Sequence, residues 1–303
     1  MGTPDFAVPT LAQLAESRHE ILAVVTNPDR RKGRGRKLAA PPVKEKALEL
    51  GLPILQPAST KEPQLREALE ALAPDLFVVV AFSILPRRLL AVPRLGSVNL
   101  HPSLLPAYRG AAPIVWAVVN GETETGISTF LLNPRVDAGD ILLQRRVSIG
   151  PDETAGELEA RLCPIGAAMV VETVDGLEDH SLSGQTQSQQ GVTRAPKLEK
   201  EDGRIHWQHG ASQIRNLVRG LNPFPGAFTT WQGQPLKIHR AQLTDGAGAP
   251  GTILQADPRA GLVVACGEGA LVLEQVQPAG KASMPATAFL LGNPAEVGAE
   301  LGT

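Results

Sequence analysis

Asn99 and His101 are the two residues of this 303-residue sequence whose types and spacing most directly suggest chemistry. They alternate with Val98 and Leu100, so on an extended strand the amide and the imidazole share one face. An amide N–H can stabilise negative charge developing on a carbonyl oxygen, and an imidazole can move a proton near neutral pH. On one face, acting on one carbonyl, the pair suits acyl-group chemistry. A lone histidine near a strand end is more often a surface or satisfied core residue than a catalyst, so the surrounding sequence decides.

The elements that must position the pair come next. Val98 to His101 fits the end of a buried strand delivering polar groups at its carboxyl edge, where ligands bind in open parallel sheets. Ser103-Leu104-Leu105-Pro106 makes a stiff apolar turn, and Arg109-Gly110 breaks away towards a helix over 113–119 with Pro113 in its first turn. Upstream, Ala7, Leu11 and Leu14 recur at helical spacing, residues 20–26 form a buried strand, and residues 43–50 form a helix. A short strand over 53–56 follows, then a helix marked by Leu65, Leu69 and Leu72, then a central strand over 76–81. Downstream, strands over 125–132 and from 141 precede a long helix carrying Leu158, Leu162, Ile165 and Met169, which Pro164 should kink. This alternation predicts an α/β, doubly wound parallel sheet. Such a sheet normally opens with a strand ahead of its first helix. Here Gly2-Thr3-Pro4-Asp5-Phe6 reads as a strand-to-helix turn with no strand before it, so either the start is cut short or the sheet lacks a member.

Two long motifs stand in order: Asn99-x-His101-x-Ser103-Leu104-Leu105-Pro106-x-x-Arg109-Gly110, and Gly126-Ile-Ser-Thr-Phe-Leu-Leu-Asn-Pro-Arg-Val-Asp137-Ala-Gly-Asp140-Ile-Leu. Together they resemble the hallmarks of the folate-dependent formyltransferases. The resemblance extends from Gly2 to about Gln277 and implies a Rossmann-like catalytic domain. It also implies 10-formyltetrahydrofolate as the co-substrate and no metal. By the same resemblance Asn99, His101 and Asp137 are catalytic. Asn99 would donate to the oxyanion, and His101 would move protons or add a second donor. Asp137 would orient His101 and raise its pKa, or hold a relaying water. Asp140 is then a turn or cap residue beside Gly139. Ser103, Leu104, Leu105 and Pro106 would give the folate backbone and apolar contacts. Phe82, Ile84 and Leu85 belong to a loop that lines the pterin pocket in relatives and is one residue shorter here. Arg109 is open between a ligand contact and a local partner.

Six of the eight residues from Arg30 to Lys37 are basic in a chain of net charge −2. Gly33 and Gly35 argue for a flexible loop, which could be merely solvated or could neutralise phosphates. In the family branch that acts on initiator methionyl-tRNA, a basic insertion with Gly-Arg-Gly occupies this place and reaches the tRNA acceptor arm. Arg34, Arg36 and Lys37 match it. The resemblance therefore implies initiator methionyl-tRNA and a small-molecule folate as partners. The alternatives are a sugar-nucleotide amine formyltransferase, a 10-formyltetrahydrofolate hydrolase, or a non-catalytic folate- or tRNA-binding relative.

Composition excludes several classes. With 43% hydrophobic and 20% charged residues the chain is globular. It has no apolar run long enough to span a bilayer and no secretory signal pattern, so a soluble cytoplasmic protein without a membrane partner is expected. No obligate protein partner is evident. Cys163 and Cys266 lack metal-ligand spacing and read as inert thiols. The polar, Ser/Gln/Gly-rich stretch 181–191 opens a linker. We therefore expect a catalytic domain over 1–180, a linker over 181–198, and a C-terminal domain over 199–303, whose tRNA-binding role is what the resemblance implies. In that last part a helix with Ile214, Leu217 and Val218 precedes short strands at 228–231, 236–240, 252–254, 262–266 and 271–275. Such spacing suggests a small OB-like β-barrel. His206 stands where relatives carry Asp before Trp207, and it reads as a solvated residue.

Overall fold

A computed structural model describes residues 1–32 and 37–302. The chain divides into two units: Met1–Pro113 with Thr125–Val147 and Glu159–Ala195, and Ile114–Glu124 with Ser148–Leu158 and Pro196–Thr303. Arg34 and Arg36, the centre of the basic loop, lie outside the described residues.

As far as Ala195 the strands are β1 (Val24–Val25), β2 (Arg30–Lys32), β3 (Lys37–Ala39), β4 (Ile54–Leu55), β5 (Phe77–Val80), β6 (Ser97–His101), β7 (Arg109–Gly110), β8 (Glu124–Leu131), β9 (Ile141–Ser148) and β10 (Arg194–Ala195). The helices are α1 (Val8–Glu16), α2 (Pro42–Glu49), α3 (Pro63–Leu72), α4 (Arg87–Leu90), α5 (Pro113–Val119) and α6 (Ala155–Glu178). Proline stands in the first turn of α1, α2 and α3, where its missing N–H costs nothing. Leu65 and Leu69 of α3 are buried as their spacing requires, while Leu72 is exposed. The long helix runs through Pro164 without ending there.

β1 pairs β4 in parallel, and β5 pairs β6 in parallel with Val79 opposite Asn99. β6 then pairs β8 antiparallel, with Asn99 opposite Phe130 and His101 opposite Ser128, in the order β5-β6-β8-β9. The sheet is mixed where the sequence suggested a wholly parallel one. Continuous apolar character reports burial on both faces, and it reads the same in either strand direction. Val25, Leu65, Leu69, Phe77, Val79 and Leu89 form one apolar cluster under this sheet. Among the described residues the first helix is preceded by a single bridge and no separate strand. Met1 and Gly2 instead supply a single rung, Gly2 bridging Val80 in parallel.

The second unit contains α7 (Ala211–Gly220), β11 (Ala227–Trp231), β12 (Gln234–Thr244), β13 (Ile253–Asp257), β14 (Gly261–Ala265), β15 (Ala270–Pro278), β16 (Met284–Pro285) and α8 (Ala286–Gly292). Its strands run in the order β11-β12-β15-β14-β13 with β16 on β15. The ladders are antiparallel. Among the described residues β11 and β13 do not pair, so the sheet is not a closed barrel. Ile214 and Val218 of α7, Ile238, Leu271, Val276 and Phe289 share its core. His206 is exposed, as expected of a solvated residue. No helix among the described residues is long and apolar enough to cross a membrane.

Ile238 is fully buried in that core. Ile238→Ala is expected to destabilise the second unit by about 2–5 kcal/mol, the usual cost of removing a buried aliphatic side chain. The chain's three tryptophans, Trp116, Trp207 and Trp231, all lie in this unit. Urea unfolding followed by tryptophan fluorescence therefore measures the loss directly.

Candidate active site

β6 carries Asn99 and His101 to its carboxyl end between β5 and β8. Asn99 is half-buried and donates one amide N–H to the Val79 carbonyl at 3.1 Å. A carboxamide has two N–H donors, and this bond fixes the plane in which the second one points. His101 is only 4% exposed. Its Nε2 lies 2.9 Å from the Tyr108 carbonyl oxygen. That oxygen can only accept, so Nε2 carries the proton and Nδ1 of the neutral ring is left with its lone pair.

Nδ1 faces Oδ2 of Asp137 at 3.9 Å. This is too far for a direct hydrogen bond. Burial pushes the His101 pKa below its ordinary value of 6.5, against the opposing pulls of the Asp137 charge and the Tyr108 carbonyl. The sequence led us to expect Asp137 to raise it, or to hold a relaying water. The carboxylate does pull upwards, but desolvation of the imidazolium is the larger effect. At neutral pH the ring is therefore an uncharged proton acceptor.

Asp137 is held from several sides. Its Oδ2 accepts the Gly110 N–H at 2.8 Å, and its backbone adopts φ +47°. That left-handed conformation is tolerated by aspartate better than by most side chains. The Gln187 amide donates to the carbonyls of Asp137 at 3.0 Å and Gly139 at 2.7 Å. Its Oε1 accepts from Arg109 Nη2 at 2.6 Å and Nε at 3.1 Å. Arg109 is thus partnered within the protein. β7 pairs β10 in parallel, which seats Gly110 beside Ala195. A Cβ on Gly110 would collide with the Ala195 carbonyl, and its φ of +132° suits glycine alone. Asp140, just ahead of β9, accepts the Leu131 N–H on its backbone carbonyl at 2.9 Å.

The 103–106 turn is braced from below. The Ser103 hydroxyl donates to Ala107 O, and Ser103 O accepts from the Ser128 hydroxyl, each at 2.6 Å. Leu105 donates its N–H to Ser128 Oγ and receives Gln144 Nε2 on its carbonyl. Ser103 and Leu105 are buried, and their backbone groups already have partners. Leu104 and Pro106 are half-buried. In the shortened loop Leu85 is buried in the apolar cluster, Phe82 packs against that cluster, and Ile84 is 76% exposed.

Sequence reasoning missed Gln187, Thr193, Ser128 and Gln144. Thr193 accepts the Tyr108 N–H on its hydroxyl at 2.8 Å and the Arg109 N–H on its carbonyl at 3.0 Å. Gln187 and Thr193 lie in the stretch expected to be linker, where polar composition masks a buried role. A single signal was available, namely a polar β-capable Thr-Arg-Ala step ahead of Pro196. Both cysteines are free, and burial pushes each thiol up to about 11.

Two outcomes are expected here. In a histidine-labelled NMR titration His101 should titrate below 6.5, and Asp137→Asn should lower that midpoint further by removing the attraction that favours the imidazolium. Gln187→Leu should cost about 1–3 kcal/mol in urea unfolding, because it leaves buried carbonyls and a guanidinium without their partner.

With this geometry described, known proteins provide the comparison. Residues 1–174 match the formyl transferase domain family and residues 197–294 match the formyl transferase C-terminal domain family. A methionyl-tRNA formyltransferase from Geobacter metallireducens is 48% identical over 303 residues, covering 100% of this chain and 97% of that one. The one from Moorella thermoacetica is 48% identical over 305 aligned positions, covering 100% and 98%. Among solved structures, the N-formyltransferase from Helicobacter canadensis, in complex with folinic acid and dTDP-3-aminofucose, aligns with TM-score 0.65 at 17% identity. That alignment covers 91% of this chain and 97% of the other, and it speaks to the fold alone. The chain belongs to the methionyl-tRNA formyltransferases of the formyl transferase family.

Proposed function

We propose that this chain transfers the formyl group of 10-formyltetrahydrofolate to the free amino group of methionine on initiator methionyl-tRNA. The observation that carries this reading is the buried neutral imidazole of His101. Its Nδ1 faces Asp137 across 3.9 Å on the strand that also presents Asn99. Near full-length similarity to curated methionyl-tRNA formyltransferases supports the acceptor, and a folate derivative in a structural neighbour supports the donor.

An amine attacks a formyl carbon only through its lone pair, and the product nitrogen must then lose a proton. His101 accepts that proton at Nδ1 as the new C–N bond forms. The Asp137 carboxylate then faces an imidazolium, so their attraction grows at the moment charge appears. Asn99 donates its second N–H to the formyl oxygen as it becomes an oxyanion, a contribution of about 2.7–4 kcal/mol for such donors elsewhere. Collapse breaks the bond between the formyl carbon and the folate nitrogen, and His101 returns its proton to that nitrogen. Leu104 and Pro106 line the folate side, with Ser103 and Leu105 fixing the turn. Of the 82–85 loop, Ile84 is the side chain free to reach the pterin.

The basic loop supplies the nucleic-acid contact in this proposal. Arg34, Arg36 and Lys37 would neutralise acceptor-arm phosphates. We assign catalysis to 1–180, in a Rossmann-like sheet. The 181–198 segment is the connection, part of which braces the site, and 199–303 is an OB-like tRNA-binding domain. A cytoplasmic location follows from the acceptor.

The direct test is formyl transfer from 10-formyltetrahydrofolate, with charged initiator tRNA as acceptor. Free methionine, uncharged tRNA and a sugar-nucleotide amine serve as controls. Transfer to the charged tRNA alone is expected; transfer only to the sugar-nucleotide amine would refute the reading. Asn99→Ala and His101→Ala should each lower kcat by roughly 100-fold or more while tRNA affinity stays near that of the parent chain. Replacing Arg34, Arg36 and Lys37 together with alanine should weaken tRNA binding and reduce its salt slope by roughly 0.7–0.9 for each phosphate no longer neutralised. An unchanged slope would return the loop to a merely solvated role.

A further inference from the structure

The strands β2 and β3 carry Arg30, Arg31, Lys32 and Lys37, four of the six basic residues of the 30–37 stretch. They pair with each other, Arg31 opposite Leu38, and among the described residues with no other strand. An isolated two-stranded ladder is marginal on its own in water. Arg30 and Arg31 are exposed and Leu38 is 69% exposed, so these residues bury no face against the rest of the unit. The direction in which the ladder carries its cations is therefore set where its two ends join the fold.

Both ends meet at Asp29. The chain enters β2 directly from Asp29 and leaves β3 through Ala40 and Pro41 into α2. Lys44, in the first turn of α2, places Nζ 2.8 Å from each carboxylate oxygen of Asp29. A lysine in that turn faces the positive end of the helix dipole, so its position is favourable only with an anion beside it. The amide nitrogen of Gln56, just after β4, donates to Asp29 Oδ1 at 2.9 Å and to the Asn27 carbonyl at 2.9 Å. Because β4 is the parallel partner of β1, this amide ties the root of the ladder to that strand pair. Asp29 and Lys44 are half-buried, where an ion pair is screened less than at the open surface. Gln56 foremost, then Lys44, holds the Asp29 carboxyl below its ordinary range, so it is ionised at neutral pH.

We propose that Asp29, Lys44 and Gln56 form a clamp that aims the β2–β3 ladder, and with it the basic stretch, at the acceptor arm of methionyl-tRNA. The inference rests on the reading of charged tRNA as the acceptor, and it adds residues that touch neither substrate. They are positioning residues, which hold the cations in place without themselves meeting a phosphate. Charge alone predicts the opposite for one of them. Asp29 is an anion beside a segment that binds a polyanion. Removing it lowers repulsion and frees Lys44, so electrostatics without positioning would tighten tRNA binding. The clamp predicts weaker binding from the same change.

The test uses the full chain with charged initiator tRNA and 10-formyltetrahydrofolate. Asp29→Ala, Gln56→Leu and Lys44→Met should each raise KM for charged tRNA roughly tenfold, with kcat and folate KM within about twofold of the parent. Lys44→Arg keeps the charge and the hydrogen bonds and should stay near the parent value. A second readout needs no tRNA. Nitroxides at Leu38→Cys and Leu48→Cys, both exposed positions, report the distance from the ladder to α2. The thiols of Cys163 and Cys266, pushed up to about 11, stay unlabelled at neutral pH. The distance distribution should be narrow in the parent and clearly broader in Asp29→Ala. An unchanged or lowered KM for tRNA in Asp29→Ala would overturn the proposal, as would equal distance distributions in parent and variant. So would a fall in kcat and a rise in folate KM alongside the tRNA effect, which would mark the three residues as general supports of the fold. If the parent chain did not formylate charged tRNA, the acceptor reading would fail, and the label distances would still decide the clamp.

Discussion

The burial of one imidazole is the constraint on which the active site depends. His101 lies almost wholly out of water, and its Nε2 proton is committed to a backbone carbonyl. The same residue's Nδ1 is thereby fixed as the acceptor, and its basicity is set by two opposed effects. Desolvation favours the neutral ring, and the Asp137 carboxylate favours the charged one. A base poised this way is free to accept a proton at rest and is stabilised once it has done so. Had the carboxylate bonded Nδ1 directly, the ring would have had a fixed partner there and little capacity for another. The 3.9 Å separation leaves Nδ1 without a direct bond to that carboxylate.

Keeping that distance requires rigidity in the two loops that carry Asp137 and Arg109-Gly110. Gln187 meets the need by spanning them, donating to the Asp137 turn and accepting from Arg109 next to Gly110. Ser128 and Gln144 do the same beneath the 103–106 turn. These residues need touch no substrate to matter. Orientation of reacting groups is worth several kcal/mol in a bound complex, and it is lost through shifts of about an ångström.

How much of this was legible follows from which physical signals are local. Asn99 and His101 were readable because a two-residue spacing on a strand has one geometric meaning. Asp137 was readable only through the company of its motif, since nothing local distinguishes it from Asp140. Gln187 was not legible. A Ser/Gln/Gly-rich stretch has the composition of a tether, and only the fold shows one glutamine buried against two carbonyls. The upward pull of Asp137 on His101 was legible, and the net downward shift was not, for a related reason. Charge is visible in a sequence, whereas the burial that outweighs it is a property of the packed chain. Helix faces and strand positions came through because they repeat. The antiparallel return of β8 and the open edge of the C-terminal sheet did not, because direction and closure leave no periodic trace.

At the carboxyl end of β6 stand an oriented amide, a neutral imidazole and a carboxylate, groups that act by hydrogen bonding and charge. Between β1 and β5 the first unit holds a cavity edged by backbone, aliphatic and charged groups. Gly2 bonds both of its walls, and β5 is also the strand whose Val79 carbonyl orients the Asn99 amide. Whatever steadies β5 therefore steadies that amide, and the order of that strand sets how sharply Asn99 can point.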